Sequence, residues 1–133
     1  MTAIFADTFF FIALLAPDDE AHAEANAKIS TLSSPLLTTM WVLMEVGDAL
    51  AGKATRPAFG RLLYFLEQHP LVTIVSAEAG QFIKAVELYR GRVDKDWSLT
   101  DCTSFVTMSE RGIDDALTGD HHFEQAGFRA LLK

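Results

Sequence analysis

Four carboxylates in this chain occupy places where an acid has work to do. Asp7 lies between Ala6 and the run Phe9-Phe10-Phe11, where water solvates it poorly. In a helical reading of residues 40–51, Trp41, Glu45 and Ala49 form one row with Val42 and Val46 beside it, and that row reads as the apolar face. An ionised carboxylate buried there without a partner costs several kcal/mol. Lys53, the nearest cation, is two turns away, so Glu45 is at the rim of the face, is protonated, or meets a bound cation. Asp101 opens a helix, where an N-cap role would also explain it. Asp120 follows Gly119 at the end of an apolar run, where turn chemistry would serve as well. Brought together, such acids raise one another's pKa, and a hard divalent ion removes the conflict. Oxygen-only ligands select Mg²⁺ or Mn²⁺ over zinc. Such an ion activates water and neutralises charge on a phosphate, which is the chemistry of phosphodiester hydrolysis.

Other chemistries have weaker support. Cys102 is the single cysteine, so no intramolecular disulfide and no cysteine zinc site can form. Beside Phe105 and Val106 it reads as a small core residue rather than a nucleophile. His121 and His122 are adjacent and are expected to point apart, a poor chelating pair. The chain has no H-E-x-x-H, C-x-x-C, P-loop or G-x-S-x-G motif. Asp7-Thr8-Phe9 lacks the second acid of a D-x-D phosphohydrolase, and Asp18-Asp19-Glu20-Ala21-His22 reads as a solvated helix start. Lys53, Arg56 and Arg61, or Arg90, Arg92 and Lys95, could hold phosphates beside an acidic site, or simply be surface charge.

The elements that must position these acids alternate along the chain. Strands are expected at Ala3–Ala6, Leu36–Thr38, Leu71–Val75, Ala116–Thr118 and near Phe128–Leu131. Helices are expected over Thr8–Leu15, from Asp18 to about Leu32, Met40–Ala51 behind a Thr39 cap, Pro57–His69, Ala77–Arg90 and Asp101–Arg111, with a short one after Asp120. In the Ala77–Arg90 helix, Phe82, Ile83, Val86 and Tyr89 share one apolar face. The alternation implies a parallel sheet with helices on both faces. Ligands of such sheets bind beyond the carboxyl ends of the strands, where Asp7 and Asp120 stand.

Length and composition bound the rest. At 133 residues the chain is the size of one domain, expected to span residues 1–133. It is 50% hydrophobic and 22% charged, which excludes intrinsic disorder. A net charge of −7 excludes a basic, histone-like nucleic-acid binder, though not a nucleic-acid enzyme that works through metal ions. The apolar stretch Thr8–Ala16 is too short to span a bilayer, and no basic segment precedes it. The expectation is a cytoplasmic protein with no membrane partner.

The chain resembles a PIN domain, specifically the VapC-like toxin ribonucleases of bacterial toxin–antitoxin pairs. The resemblance rests on Asp7-Thr8 after the first strand, Thr39-Met40-Trp41-Val42-Leu43-Met44-Glu45, Asp96 to Cys102, and Leu117 to Phe128, in that order over essentially the whole chain. It implies a three-layer α/β/α sandwich with a central, mainly parallel sheet. It implies that Asp7, Glu45, Asp101 and Asp120 hold Mg²⁺ or Mn²⁺, with Thr8, Asp96 and Thr118 as supporting residues. It also implies endonucleolytic RNA cleavage, a cognate antitoxin and a homodimer. The antitoxin is expected to dock a helix on the apolar helices Phe9–Leu15 and Trp41–Leu50. Phe9 departs from the pattern, since many relatives carry a small polar residue there. The competing reading is a catalytically silent module of the same fold that binds RNA or protein.

Overall fold

The computed structural model describes residues 2–133. The chain runs β1 (Ile4–Ala6), α1 (Thr8–Leu15), α2 (His22–Ser30), β2 (Leu36–Thr39), α3 (Met40–Ala49), α4 (Arg56–Gln68), β3 (Val72–Val75), α5 (Ala79–Gly91), α6 (Leu99–Glu110), β4 (Asp115–Leu117), α7 (His121–Gln125) and β5 (Arg129–Ala130). The five strands form one sheet in the order β3-β2-β1-β4-β5, and every pairing is parallel. Parallel neighbours require crossovers, and α1 to α7 supply them. The result is the expected α/β/α sandwich.

The strand order reverses at β1. The chain first steps outward through β2 and β3, then returns across the sheet to place β4 on the other side of β1. Crossovers therefore diverge at the carboxyl ends of β1 and β4, which leaves a crevice between them. Ala6 pairs with Leu117 there, so the residues that follow each strand leave the sheet side by side.

The core lies on both faces of this sheet. Phe5, Phe10, Phe11, Leu36, Leu66, Met108, Leu117 and Phe123 are fully enclosed. Phe105 packs edge-on against Phe123 and Trp97. Most of the apolar run in α1 is consumed in this core, since Phe10, Phe11 and Ala13 are buried. It does not offer the open apolar face expected of Phe9–Leu15. Met40 and Met44 of α3 do remain exposed. They border an apolar groove with Leu43, Phe59, Leu63 and Ile74, between α3, α4 and the edge strand β3.

Three helices differ from expectation. The α2 helix starts at His22, not Asp18, because the Asp19 carboxylate accepts the Ala21 N–H at 2.8 Å and holds a turn there. The His22 imidazole reaches back to the Ala13 carbonyl at 2.8 Å. In α5, Phe82, Ile83 and Tyr89 are 44%, 58% and 52% exposed, while Ala85 is buried. The small Ala85 lets α5 approach α6 closely, so the strip through Gln81, Ala85 and Leu88 faces inward and the bulkier apolar row faces out. The α6 helix starts two residues early, at Leu99, capped by Ser98. No helix among the described residues is long and apolar enough to cross a membrane.

Candidate metal centre

Asp7 leaves β1 and caps α1. Its Oδ1 accepts the Phe10 N–H at 3.3 Å, as an N-cap aspartate does. Its Oδ2 accepts the Thr118 hydroxyl at 2.9 Å, a contact between residues 111 apart in sequence. Burial pushes its pKa up from 3.8 to about 8, against the lowering effect of these two hydrogen bonds. The nearby charges of Asp120 and Asp101 raise it further. Thr118 ties the two strand ends together, because its Oγ1 also accepts the Asp120 N–H at 3.0 Å.

Asp120 leaves β4 and caps α7, with its Oδ1 accepting the His122 N–H at 2.9 Å. Asp101 enters from α6. It is the third residue of that helix and not its N-cap, the role considered from sequence. The Ser98 hydroxyl accepts the Asp101 N–H at 2.9 Å, and Asp101 Oδ2 accepts the Ser98 N–H at 3.1 Å. This reciprocal box fixes the carboxylate in the first turn. Burial raises the Asp101 pKa, offset by the Ser98 hydrogen bond, and the Asp120 charge raises it again. Asp7, Asp101 and Asp120 are thus electrostatic neighbours at the switch point.

Glu45 sits apart from this network. The α3 helix packs on α1 and α6, but among the described residues the Glu45 side chain makes no hydrogen bond or ion pair. The row Trp41-Glu45-Ala49 is not the buried one: Val42, Leu43 and Val46 point into the core and Ala49 is exposed. Of the three sequence alternatives for Glu45, the half-buried rim position is the one found. The buried row is turned by the inward pull of Val42 and Val46, and Glu45 stands at its edge.

The supporting residues divide. Thr118 is fully buried and contacts both Asp7 and Asp120. Thr8 Oγ1 is buried and has no hydrogen-bond partner. Asp96 is exposed in the loop before α6 and forms no polar contact with the acids among the described residues. Phe9 lies over Gly119. A Cβ at Gly119 would sit 2.5 Å from the Phe9 ring, so a phenyl group takes the space next to the residue that precedes Asp120.

The histidines correct the expectation of a divergent pair. The ring centroids of His121 and His122 are 4.4 Å apart. Both Nδ1 atoms face Asp120 Oδ1, at 3.7 Å from His121 and 3.4 Å from His122. His122 Nδ1 is also 3.0 Å from Asp101 Oδ2. The two residues open a five-residue helix immediately after its N-cap, and both rings fold back toward that cap. The only sequence signal was their position directly after an acid. Among the basic residues, Arg92 is bound to Asp94 at 3.1 Å and lies over the Trp97 ring. Arg56 donates to the Ala51 carbonyl, and Lys53, Arg61 and Arg90 are exposed.

The sequence pattern of the PIN domain matches residues 4–129. The chain belongs to the PIN-domain family. It is homologous to the VapC-like toxin ribonucleases within it. Proteins described as 23S rRNA-specific endonuclease VapC20, from Mycobacterium tuberculosis strains CDC 1551 / Oshkosh and ATCC 25618 / H37Rv, are each 29% identical over 126 residues. The alignment covers 94% of this chain and 95% of each relative. The crystal structure of Mycobacterium tuberculosis VapC20, described as a sarcin-ricin loop cleaving toxin, superposes with a TM-score of 0.87 at 26% identity. That superposition covers 96% of this chain and 98% of the other.

A divalent ion suits the residues of this PIN domain. Three carboxylates converge, one of them held mostly protonated by burial when no cation offsets its charge. The Thr8 hydroxyl next to Asp7 is buried without a partner, and a water carried by an ion can satisfy such a group.

Proposed function

We propose that this PIN domain is a Mg²⁺- or Mn²⁺-dependent endoribonuclease, acting as the toxin of a toxin–antitoxin pair. The observation that carries this reading is the meeting of Asp7, Asp101 and Asp120 at the β1/β4 switch point, linked through Thr118 and His122. The relatives described as 23S rRNA-specific endonucleases support RNA as the substrate class.

Asp7, Asp101 and Asp120 would hold the ion, with Glu45 completing the set from the rim of α3. When bound, the ion supplies an activated water and neutralises charge on the scissile phosphate. The chain's own residues prepare the site. The Thr118 hydroxyl and the Phe10 N–H fix both oxygens of Asp7. The Ser98–Asp101 box fixes the second carboxylate. Glu45, at the solvent edge, orients the attacking water. No covalent intermediate on the protein is required. The apolar groove along Met40, Leu43 and Met44 receives a helix of the antitoxin, and the chain acts as a homodimer. The single domain spans residues 1–133.

The test is RNA cleavage by the purified protein with Mg²⁺ or Mn²⁺, with and without EDTA, alongside Asp7→Asn. Metal-dependent cleavage that disappears in the variant supports the proposal. Tight RNA binding without cleavage on several RNAs, with no divalent-ion binding by calorimetry, would replace it with the silent binding module.

A further inference from the structure

We infer that His122, assisted by His121, lends imidazole nitrogen to the carboxylate site, so that this chain selects Mn²⁺ and later first-row ions over Mg²⁺. The inference rests on the metal-site reading above and adds a ligand class that its four acids do not contain.

Geometry carries the argument. One ligand atom each from Asp120, His121 and His122 falls within 4.8 Å of the others. Neighbouring donors around a six-coordinate ion with bonds near 2.1 Å stand about 3 Å apart. His122 Nδ1 is 3.0 Å from Asp101 Oδ2 and 3.4 Å from Asp120 Oδ1, so it stands at ligand-to-ligand spacing from each of the two carboxylates. His121 Nδ1, at 3.7 Å from the same Asp120 oxygen, needs a small ring rotation to join them. Its side chain is 63% exposed, and the His122 ring, 4.4 Å away, is its aromatic neighbour, which leaves room for that movement on the solvent side. The backbone beneath both rings is anchored by the fully buried Phe123.

The chemistry sets the consequence. Against an ionised Asp101, the 3.0 Å contact of His122 Nδ1 is a hydrogen bond in the tautomer that carries its proton on Nδ1. To ligate through Nδ1, the neutral ring carries its proton on Nε2 instead, which leaves the lone pair on Nδ1 free. Mg²⁺ is a hard ion that prefers oxygen and keeps its waters. Imidazole suits d-block ions, and affinity climbs from Mn²⁺ toward Ni²⁺ and Cu²⁺. Asp120, the residue joining both rings to the acids, makes the nitrogen donors part of the same centre rather than a separate site.

The experiment uses the full chain loaded with Mn²⁺ alone. Pulsed electron paramagnetic resonance is expected to show ¹⁴N coupling to the ion. Selective labelling with ¹⁵N-histidine, which leaves every contact in place, converts that signal to ¹⁵N. Calorimetry is expected to show the Mn²⁺/Mg²⁺ affinity ratio falling roughly tenfold or more in His122→Gln, and by less in His121→Gln. A Mn²⁺ spectrum without nitrogen coupling, or a ratio unchanged in both variants, would overturn the inference. RNA cleavage accompanying that result would leave the nuclease reading standing. Nitrogen coupling in a protein that cleaves no RNA would do the reverse.

Discussion

Asp7→Asn tests the electrostatics of the site directly. Burial pushes the Asp7 carboxyl from 3.8 to about 8. Between those values the folded protein keeps a proton that the unfolded chain has lost, so wild-type stability falls as pH rises. Each pH unit within this window is worth about 1.4 kcal/mol. Raising the pH from 5 to 8 should therefore cost the wild type up to about 4 kcal/mol relative to Asp7→Asn, which has no such proton to lose. The variant keeps the local geometry. Its amide oxygen accepts the Phe10 N–H, its NH₂ group reaches Thr118 Oγ1, and asparagine caps helices as well as aspartate. Asp101 is present in both proteins, and its coupling to Asp7 is the smallest of the causes acting on the Asp7 carboxyl, so it adds little to the difference. The assay is thermal unfolding of both proteins in EDTA at several values from pH 5 to 8. The Tm gap in favour of the variant should widen by roughly 10 °C across that range. Mn²⁺ should then narrow it, because an ion held at about 100 times its Kd stabilises by roughly 2.7 kcal/mol and needs the Asp7 carboxylate. A gap that stays constant or shrinks from pH 5 to 8 would refute the assignment of a protonated, buried Asp7.

Thr118→Val removes the hydroxyl that donates to Asp7 and leaves the Asp120 N–H without its acceptor; urea unfolding should show a loss of about 1–3 kcal/mol. Gly119→Ala places a methyl group 2.5 Å from the Phe9 ring. It should cost about 1–3 kcal/mol, and the same change in a Phe9→Ala background should cost much less in a double-mutant cycle. Asp101→Asn should abolish RNA cleavage while shifting stability by no more than about 1 kcal/mol, since an amide oxygen can still accept the Ser98 N–H. Cleavage by that variant at the wild-type rate would remove Asp101 from the site.

Much of this protein could be read along the chain. The apolar runs that end at Asp7 and just before Asp120 are strands of the parallel sheet, and both acids stand at carboxyl ends, as expected. Thr39 caps α3 through its hydroxyl, at 3.1 Å from the Val42 N–H. These features are legible because strand alternation, capping and helix stops act over a few residues. The same locality explains the misreadings. A helical period names a row of residues without saying which way it faces. Sequence therefore leaves open whether Glu45 is at the rim of its apolar row, and puts Phe82, Ile83 and Tyr89 on one apolar face without a direction; packing sets Glu45 at the rim and turns those three residues toward solvent. His121 and His122 diverge in a helix wheel, yet converge on Asp120 because they start a helix at its cap. Only the tertiary structure decided that the chain crosses back over β1, setting Thr118 against Asp7 across 111 residues. Strand order is settled by which long-range contacts bury the most apolar surface with every backbone group paired, and no local pattern encodes that sum.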